Sequence, residues 1–343
     1  MAKRSENACP RVDIGGQAVL DGVMMKGPDA IAVAVRRPDG DIVVKRETYE
    51  SPAKKHKWMG WPFIRGTVNM VQMLSIGMKT LTDSANMSGA EETEAPSKVD
   101  LWLAEKLGKN VDKVVMAVAA VLAVCLSLGL FVVLPNLAVL LFPENATGGM
   151  LLLKNLVTGV IRIALLIAYI GFCGRIPEMR RTFQYHGSEH KTVYCHEHDL
   201  PLTPENAQQF STLHPRCGTS FLVLTFILSI LVCTIFDWLV LEIFGVNMGA
   251  NYFMRLLSRV ILLPCIMGVG YEALKGLAHA DGRVVRMLRW PGMQMQRLTT
   301  RQPSDDMCEV AIVSMNAALN GLPEGEVTPE GWVILHKAES APL

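Results

Sequence analysis

Histidine, cysteine and carboxylate side chains crowd into one short stretch of this 343-residue chain. Five of the eight histidines lie between Tyr185 and Ser220, and His186, Glu189 and His190 follow the pattern H-x-x-E-H. On a helix, residues four apart share a face, so His186 and His190 could bind one metal ion while Glu189 reaches a nearby water molecule. This is the spacing of the inverted zinc-protease motif, and it predicts metal-dependent hydrolysis with Glu189 as the general base.

A metal site with two histidines needs a third protein ligand from another part of the chain. We expect His214 to be this ligand and zinc to be the best-suited divalent metal. Glu272 lies near the predicted end of an apolar segment, where a carboxylate more commonly pairs with a neighbour such as Lys275. The full set of candidates for the third ligand is His214, Cys217, Glu197 and Glu272.

The same stretch allows two other kinds of site. The pairs Cys195-x-x-His198 and His214-x-x-Cys217, each with a two-residue gap, are typical of a closed structural zinc site. Cys217 could instead be a catalytic nucleophile, because an adjacent arginine and a helix N-terminus lower the pKa of a thiol. Glu189 or a histidine would then be its base. The spacing leaves all three interpretations open.

A glycine pair near the N-terminus marks a second region of interest. Gly16 and its neighbour would let the backbone approach a ligand closely, and Gln17 and Asp21 are candidate cofactor-binding residues. A tight turn in a small β unit is the competing and more common use of such glycines. The strands of this unit are expected at 17–25, 30–36 and 42–48, with a turn at 38–41 between the last two.

The bulk composition favours a membrane protein. Hydrophobic side chains make up 50% of the chain and the mean hydropathy is +0.28, which is unusually apolar for a soluble protein. A helix needs about 20 apolar residues to cross a hydrocarbon core, and four stretches satisfy this requirement, at 114–134, 155–173, 219–244 and 256–274. Lys and Arg alternate between the connecting segments in a way that places both termini and the His-rich segment in the cytoplasm.

These observations divide the chain into six regions. We expect a cytosolic β-containing region with an amphipathic helix at 1–83, followed by a flexible linker at 84–97 and a helix that begins at Lys98. Transmembrane helices 1 and 2 fall in 98–174, a cytosolic His/Cys-rich loop in 175–218, helices 3 and 4 in 219–274, and a cytosolic C-terminal region in 275–343. The predicted fold class is a membrane α-helical protein with four transmembrane helices plus a small cytosolic α+β cap built from both termini.

Two further helices are expected in the C-terminal region. The first continues the fourth span from 272 to 288 and ends at Trp290-Pro291-Gly292, because proline and glycine interrupt helices. The second covers 305–319, with Ser304 as its N-cap.

Charge and cysteine content exclude some classes of function. A net charge of +1 and the absence of a basic stripe argue against a nucleic-acid partner. Disulfides are not expected, because the cysteines lie in spans or face a reducing cytoplasm in the predicted topology. The charged residues inside the predicted spans are expected to form an ion pair rather than a proton path; they are Arg162, Asp237, Arg255 and Arg259.

Four motifs occur in order along the chain: GGQAVLDGVMMKGP at 15–28, YHGSEHK at 185–191, HPRCGTS at 214–220 and QRLTTR at 296–301. Together they resemble the bacterial YqhQ-type family of predicted metal-dependent membrane proteins. The resemblance implies an inner-membrane protein and groups His186, Glu189, His190, His214 and Cys217 as one site, but it implies no particular reaction. His198 lies outside the family pattern, which disfavours the structural zinc site.

The sequence therefore predicts a metal-dependent integral membrane protein with its site at the cytoplasmic face, acting by hydrolysis on a peptide or a lipid-linked group. The lipid bilayer is the expected surrounding, and a membrane protein or a lipid-linked molecule is the expected substrate. The alternative is a non-catalytic membrane factor or scaffold in envelope assembly, which holds a structural metal or none.

Overall fold

The computed structural model describes residues 14–89, 111–143, 149–248, 251–280 and 282–336. Six strands form one antiparallel sheet: β1 (Gly15–Val19), β2 (Gly22–Lys26), β3 (Ala30–Arg36), β4 (Ile42–Thr48), β5 (Glu326–Val327) and β6 (Val333–Leu335). Their order in the sheet is β1-β2-β3-β4-β6-β5. Because β6 pairs with β4, strands from both ends of the chain share this sheet.

Helices make up most of the rest of the described chain. Short 3-10 segments occur at Lys57–Gly60 and Ala138–Leu141, and a π-helical segment at Gly129–Val133 joins α3 to α4. The helices are α1 (Pro52–Lys55), α2 (Ile64–Met87), α3 (Val111–Leu128), α4 (Leu134–Leu137), α5 (Gly149–Cys173), α6 (Pro177–Glu197), α7 (Pro204–Gln208), α8 (Gly218–Phe244), α9 (Tyr252–His279), α10 (Arg283–Thr299) and α11 (Asp305–Asn320).

The sheet buries both of its faces, because alternate side chains of a strand point in opposite directions. Val23 and Met25 of β2 pack with α6 and α11 on one face. Met24, between them, belongs to a second cluster with Trp332 and residues of α2. The amphipathic helix predicted in the N-terminal region is therefore confirmed as α2, and it covers one face of the sheet.

Four helical stretches are long and apolar enough to span a membrane, as the sequence predicted. They are Ala117–Leu137, Gly149–Cys173, Gly218–Phe244 and Tyr252–Leu277, with 21, 25, 27 and 26 residues. Each reaches the length of about 20 residues that a hydrocarbon core requires. α8 lies between α5, α9 and α10 and contacts all three, so it is central to this bundle.

The N-terminal β unit differs from the prediction at its first strand. The stretch 17–25 is not one strand but parts of β1 and β2, which pair through a tight turn at Leu20 and Asp21. Asp21 has a φ of 49°, a conformation that aspartate tolerates better than most residues. The predicted hairpin of β3 and β4 is confirmed. Of the predicted linker, 84–87 belongs to α2, whereas 90–97 and the helix expected from Lys98 lie outside the described residues.

The predicted helix end at 290–292 is wrong. α9 continues to His279, the chain turns at Gly282, whose φ is 137°, and α10 then runs through Pro291. Gly292 lets α10 pack closely on α8 at this point, because a Cβ there would lie 2.8 Å from Ser220 Cβ. The helix thus continues through the proline, although proline removes one backbone hydrogen bond. The helix predicted at 305–319 is confirmed as α11, although Ser304 makes no side-chain cap.

The predicted His/Cys-rich loop is largely helical, since α6 and α7 occupy most of 177–208. Gly187, in the middle of α6, faces the backbone of Arg301, and a Cβ at position 187 would overlap the Arg301 carbonyl oxygen. The Arg301 N–H donates to the Phe183 carbonyl at 2.8 Å, which holds the two segments together. Glycine is thus required here despite a helix cost of about 1 kcal/mol relative to alanine.

Replacing Gly187 with alanine is expected to lower the free energy of unfolding by about 1–3 kcal/mol, because the added Cβ meets backbone that cannot move independently. Gly171→Ala is the matched control, since a Cβ at that helical position meets nothing within 4 Å. Thermal unfolding of both variants in detergent, followed by circular dichroism, is the measurement. Equal unfolding temperatures for the two variants would contradict the close approach of α6 to Arg301.

Candidate functional site

Three possible metal ligands meet between α6 and the start of α8. The Nε2 atom of His186 lies 3.2 Å from Cys217 Sγ, and the rings of His186 and His190 are 4.5 Å apart. The candidate ligand atoms of these three residues all lie within 4.8 Å of one another. Among the described residues, these three form the one group of at least three His, Cys, Asp or Glu side chains close enough together to hold one ion. We call these three residues the His–Cys triad.

Both histidines of the triad have their Nδ1 atoms committed to backbone carbonyls. His186 Nδ1 lies 2.9 Å from the Thr299 oxygen, and His190 Nδ1 lies 2.5 Å from the Thr212 oxygen. A carbonyl oxygen can only accept, so each Nδ1 carries the hydrogen and each Nε2 keeps its lone pair. His190 Nε2 is buried and has no hydrogen-bond partner. A buried ring nitrogen in this state can bind a metal, and the Thr212 carbonyl that accepts from Nδ1 fixes the ring orientation.

Glu189 lies beside the triad in a buried position. Its side chain is 8% exposed, and its Oε2 lies 3.9 Å from His186 Nε2. Gly16 of β1 packs directly over it, because a Cβ at position 16 would be 2.9 Å from Glu189 Cγ. Gly16 of the N-terminal motif therefore lets the sheet approach Glu189 closely.

Two residues of α10 position the triad, and the sequence analysis gave neither of them a role. Gln296 is fully buried; its Oε1 accepts from the His214 N–H at 2.7 Å, and its Nε2 donates to the His214 carbonyl and to Ser220 Oγ. These bonds fix the turn that carries Cys217. Thr299 lies in the last turn of α10, where carbonyls lack helical partners, so its oxygen is available to His186. Gln296 and Thr299 both lie in the QRLTTR motif at 296–301, so this motif is the sequence feature that could have identified them.

Lys191 holds the segment between α7 and α8 against α6. Its Nζ donates to the carbonyls of Gln208 and Phe210 at 2.9 and 2.6 Å. This clamp fixes the segment that presents the Thr212 carbonyl to His190. Burial lowers the pKa of the Lys191 ammonium, and the two carbonyls replace the water that burial removes. The YHGSEHK motif therefore ends on a positioning residue.

His214, the third ligand expected from the sequence, lies outside the triad. Its Nδ1 accepts from the Arg216 N–H at 3.3 Å, and its Nε2 faces Glu197 at 3.3 Å. Burial raises the pKa of Glu197, but hydrogen bonds from His214 and Arg216 and the positive charge of Arg216 outweigh it, so the net shift of this pKa is downward. An ionised Glu197 holds the hydrogen of His214 on Nε2, so neither ring nitrogen has a free lone pair. Cys217 occupies the third position instead.

The rival four-ligand zinc set is not assembled. Cys195 is buried in an apolar cluster with Ala207 and Cys308, and its thiol faces the Pro201 carbonyl at 3.3 Å. Burial raises the pKa of this thiol, which disfavours the thiolate that a metal would need. His198 is exposed and contacts the Tyr194 carbonyl. Cys195 and His198 therefore do not share a possible metal position with His214 and Cys217.

The remaining candidates lie elsewhere. Glu272 forms a two-pronged ion pair with Arg65 of α2, so its main partner is not the expected Lys275. Gln17 points to the sheet face opposite Glu189, where its amide packs at Gly77 of α2. Asp21 forms an ion pair with Arg181 of α6. Asp21 and Glu272 therefore tie elements together, and none of the three reaches the triad.

The donor set of the triad fits a transition metal. Two neutral imidazoles and one thiolate are soft to borderline ligands that suit zinc, and three protein ligands leave a fourth position for water or substrate. Glu189 is close enough to contact a molecule in that position. The 3.2 Å contact between His186 Nε2 and Cys217 Sγ is also the geometry of a Cys–His nucleophile pair, with the Thr299 carbonyl orienting the base.

Comparison with known proteins agrees with the motifs. The uncharacterized protein YqhQ of Bacillus subtilis (strain 168) is 32% identical over 314 residues, which are 89% of this chain and 92% of that protein. No solved structure matches the chain. A family described as "Protein of unknown function (DUF1385)" matches residues 61–321, which include α6, the triad and α10. The resemblance to the YqhQ-type family is thus confirmed, and the chain belongs to the DUF1385 family.

Proposed function

We propose that this protein is a metal-dependent membrane enzyme that hydrolyses a peptide or a lipid-linked substrate at the cytoplasmic face. The observation that carries the proposal is the unpartnered, buried Nε2 of His190, which lies in one group with His186 Nε2 and Cys217 Sγ. A buried polar atom without a partner is costly, and a metal ion would satisfy this nitrogen.

The placement in the membrane rests on the four apolar helices and on the distribution of charge. Cys217 precedes α8 and His186 follows α5, so the triad belongs to one end of the bundle. The segments at this end are rich in Lys and Arg, which favours a cytoplasmic location. In a bacterial inner membrane, the proposed orientation keeps both termini in the cytoplasm and gives the site access to substrates at the membrane surface.

Each residue of the site has a separate proposed role. His186, His190 and Cys217 would hold a divalent metal, most simply zinc, and its Lewis acidity would make water available as a nucleophile near neutral pH. Glu189 takes the proton of the attacking water and delivers it to the leaving group. Gly16 and the surrounding sheet cover the Glu189 side chain, and so keep bulk water away from the base.

A second candidate function uses the same contact without a metal. In it, Cys217 is the nucleophile and His186 is its base, supported by the 3.2 Å distance between them. A non-catalytic scaffold that holds a structural metal or none is the third possibility. Metal content and the dependence of turnover on Glu189 separate the three.

Purified wild-type protein is expected to hold about one equivalent of zinc or a related metal, and His190→Ala is expected to lose it, because Nε2 of His190 is a proposed ligand. His198→Ala is the matched control and should keep the metal, since His198 is exposed and lies away from the triad. The measurement is elemental mass spectrometry after purification without chelators, with circular dichroism as a fold check.

The same measurement identifies the third ligand. Cys217→Ala should lose the metal, whereas His214→Ala should keep most of it, because both ring nitrogens of His214 are already engaged. If His214→Ala loses the metal and Cys217→Ala keeps it, His214 is the third ligand, as the sequence predicted. A wild-type protein without metal, in which Cys217 is alkylated much faster than Cys195, would favour the Cys–His nucleophile.

Glu189→Gln is expected to retain the metal and to abolish hydrolysis, because the amide keeps the shape of the side chain but cannot accept a proton. The assay incubates zinc-loaded protein with a peptide mixture and with extracted bacterial lipids, and new products are detected by liquid chromatography with mass spectrometry. Asp199→Asn is a control carboxylate in the loop after α6. Products formed equally by Glu189→Gln would remove Glu189 from the mechanism, and no wild-type products would favour the scaffold.

A further inference from the structure

A group of charged side chains is buried inside the helical bundle, away from the His–Cys triad. Asp237 of α8 pairs with Arg259 of α9 at 2.6 Å and faces Arg255 at 3.5 Å, which confirms the ion pair predicted from the sequence. Asn155 of α5 joins them, because its Oδ1 accepts from both guanidinium groups. The two arginines are 0% and 5% exposed, so little solvent reaches them.

A third guanidinium extends this group and has neutral partners. Arg162 of α5 donates to the Phe131 carbonyl at 2.9 Å and to Ser229 Oγ at 3.0 Å, and it lies over the ring of Phe226. Cys233 is buried on the same face of α8, one turn from both Ser229 and Asp237. Arginine remains protonated in proteins. Three positive charges thus face one carboxylate among the described residues, which leaves an excess of two positive charges.

Such an excess is expensive in an apolar bundle. Ionisable residues within membrane spans are rare because of their desolvation cost, and they commonly mark a binding site or a pathway. Arg255 Nη1 is buried and lies 3.5 Å from Asp237 Oδ2 without making a hydrogen bond to it. A bound anion would supply the missing negative charge.

Polar side chains from more than one helix contact the arginines. Thr225, Ser229, Cys233 and Asp237 recur every four residues along α8, and all four are buried, so they share one face of the helix. Ser229 and Asp237 of this face accept from Arg162 and Arg259. Asn136 of α4 accepts from Arg255 Nε at 3.2 Å. The bundle interior next to the arginines is therefore polar.

We propose that Arg162, Arg255 and Arg259 form a binding site for a phosphate group inside the bundle. A phosphate carries about 1.5 to 2 negative charges near neutral pH, which matches the excess of two. Planar guanidinium groups also bind phosphate oxygens in pairs. Free phosphate and the phosphate of an anionic lipid share this chemistry.

The proposed phosphate site is separate from the metal site. Asp237 lies 20 residues after Cys217 on α8, which at 1.5 Å per residue is about 30 Å along the helix. Arg255 lies in the first turn of α9. The phosphate site thus belongs to the opposite end of the bundle, and it does not depend on the proposed hydrolytic activity.

The test measures phosphate binding to delipidated protein in a nonionic detergent. Equilibrium dialysis with radiolabelled inorganic phosphate, at constant ionic strength in chloride, should give saturable binding of about one phosphate per chain. Arg162→Gln should weaken this binding by at least about tenfold, the effect of losing one strong charge-assisted hydrogen bond. Arg162 is chosen because its partners are neutral, so its removal leaves no unpaired carboxylate. Arg175→Gln, an exposed position after α5, is the matched control and should bind like wild type.

A parallel sample identifies a lipid source. Protein purified without the delipidation step is analysed for retained phospholipid by mass spectrometry. The site is assigned to a lipid phosphate if three results are found together. Wild type retains an anionic phospholipid, Arg162→Gln loses it, and wild type does not bind free phosphate. If wild type binds neither, or if Arg162→Gln binds as well as Arg175→Gln, the proposal is overturned.

A second substitution keeps the test decisive if Arg162→Gln does not fold. Arg162→Lys keeps the charge but loses the planar pair of donors, so it should fold and bind phosphate more weakly than wild type. Phosphate binding of wild-type strength in a folded Arg162→Lys would contradict a guanidinium contact at this position. Metal content, measured in parallel, reports separately on the triad at the other end of the bundle.

Discussion

The hydrogen bonds from the two histidine Nδ1 atoms to backbone carbonyls determine what this site can do. Thr299 and Thr212 provide the oxygens, and they leave the lone pairs of His186 and His190 facing the same space as the Cys217 thiol. If either carbonyl were displaced, its histidine could turn or change tautomer, and the donor set would be lost. The two carbonyls come from separate segments of the chain, one at the end of α10 and one between α7 and α8, so the folding of several elements contributes to the site.

Close backbone packing brings those elements together. Gly187 lets α6 approach the segment after α10, Gly292 lets α10 approach α8, and Gly16 lets the sheet approach Glu189. Gln296 and Lys191 then fix the turns that carry Cys217 and Thr212. The site therefore combines the first strand, the helix after the second apolar span, and the helix after the fourth. This arrangement explains why four motifs far apart in the sequence belong to one structural unit.

Local patterns were enough to predict the long elements of the fold. Apolar stretches of about 20 residues indicated the four long helices, and alternation around Pro38-Asp39-Gly40-Asp41 indicated the hairpin of β3 and β4. The H-x-x-E-H spacing placed two imidazoles and a carboxylate on α6. These features depend on neighbours within a few residues, so the sequence carries them directly.

Features that depend on distant partners could not be predicted in this way. His214 was expected as a ligand because of its type and position, but its role is set by Glu197 and by the Arg216 backbone. Pro291 was expected to end a helix, but α10 continues through it, where Gly292 packs on Ser220 of α8. Gln17 was expected at a cofactor site, but strand alternation turns it towards α2. Gln296 had no expected role because its partners lie 76 and 82 residues away.

X-ray absorption spectroscopy at the zinc edge tests most directly whether the His–Cys triad is a metal centre. On zinc-loaded wild-type protein, the proposed site predicts one sulfur neighbour at about 2.3 Å and two imidazole nitrogens at about 2.0–2.1 Å. A further light-atom neighbour would occupy the fourth position. Two sulfur neighbours would indicate the closed Cys195–His198–His214–Cys217 site, and a shell without sulfur would contradict ligation by Cys217.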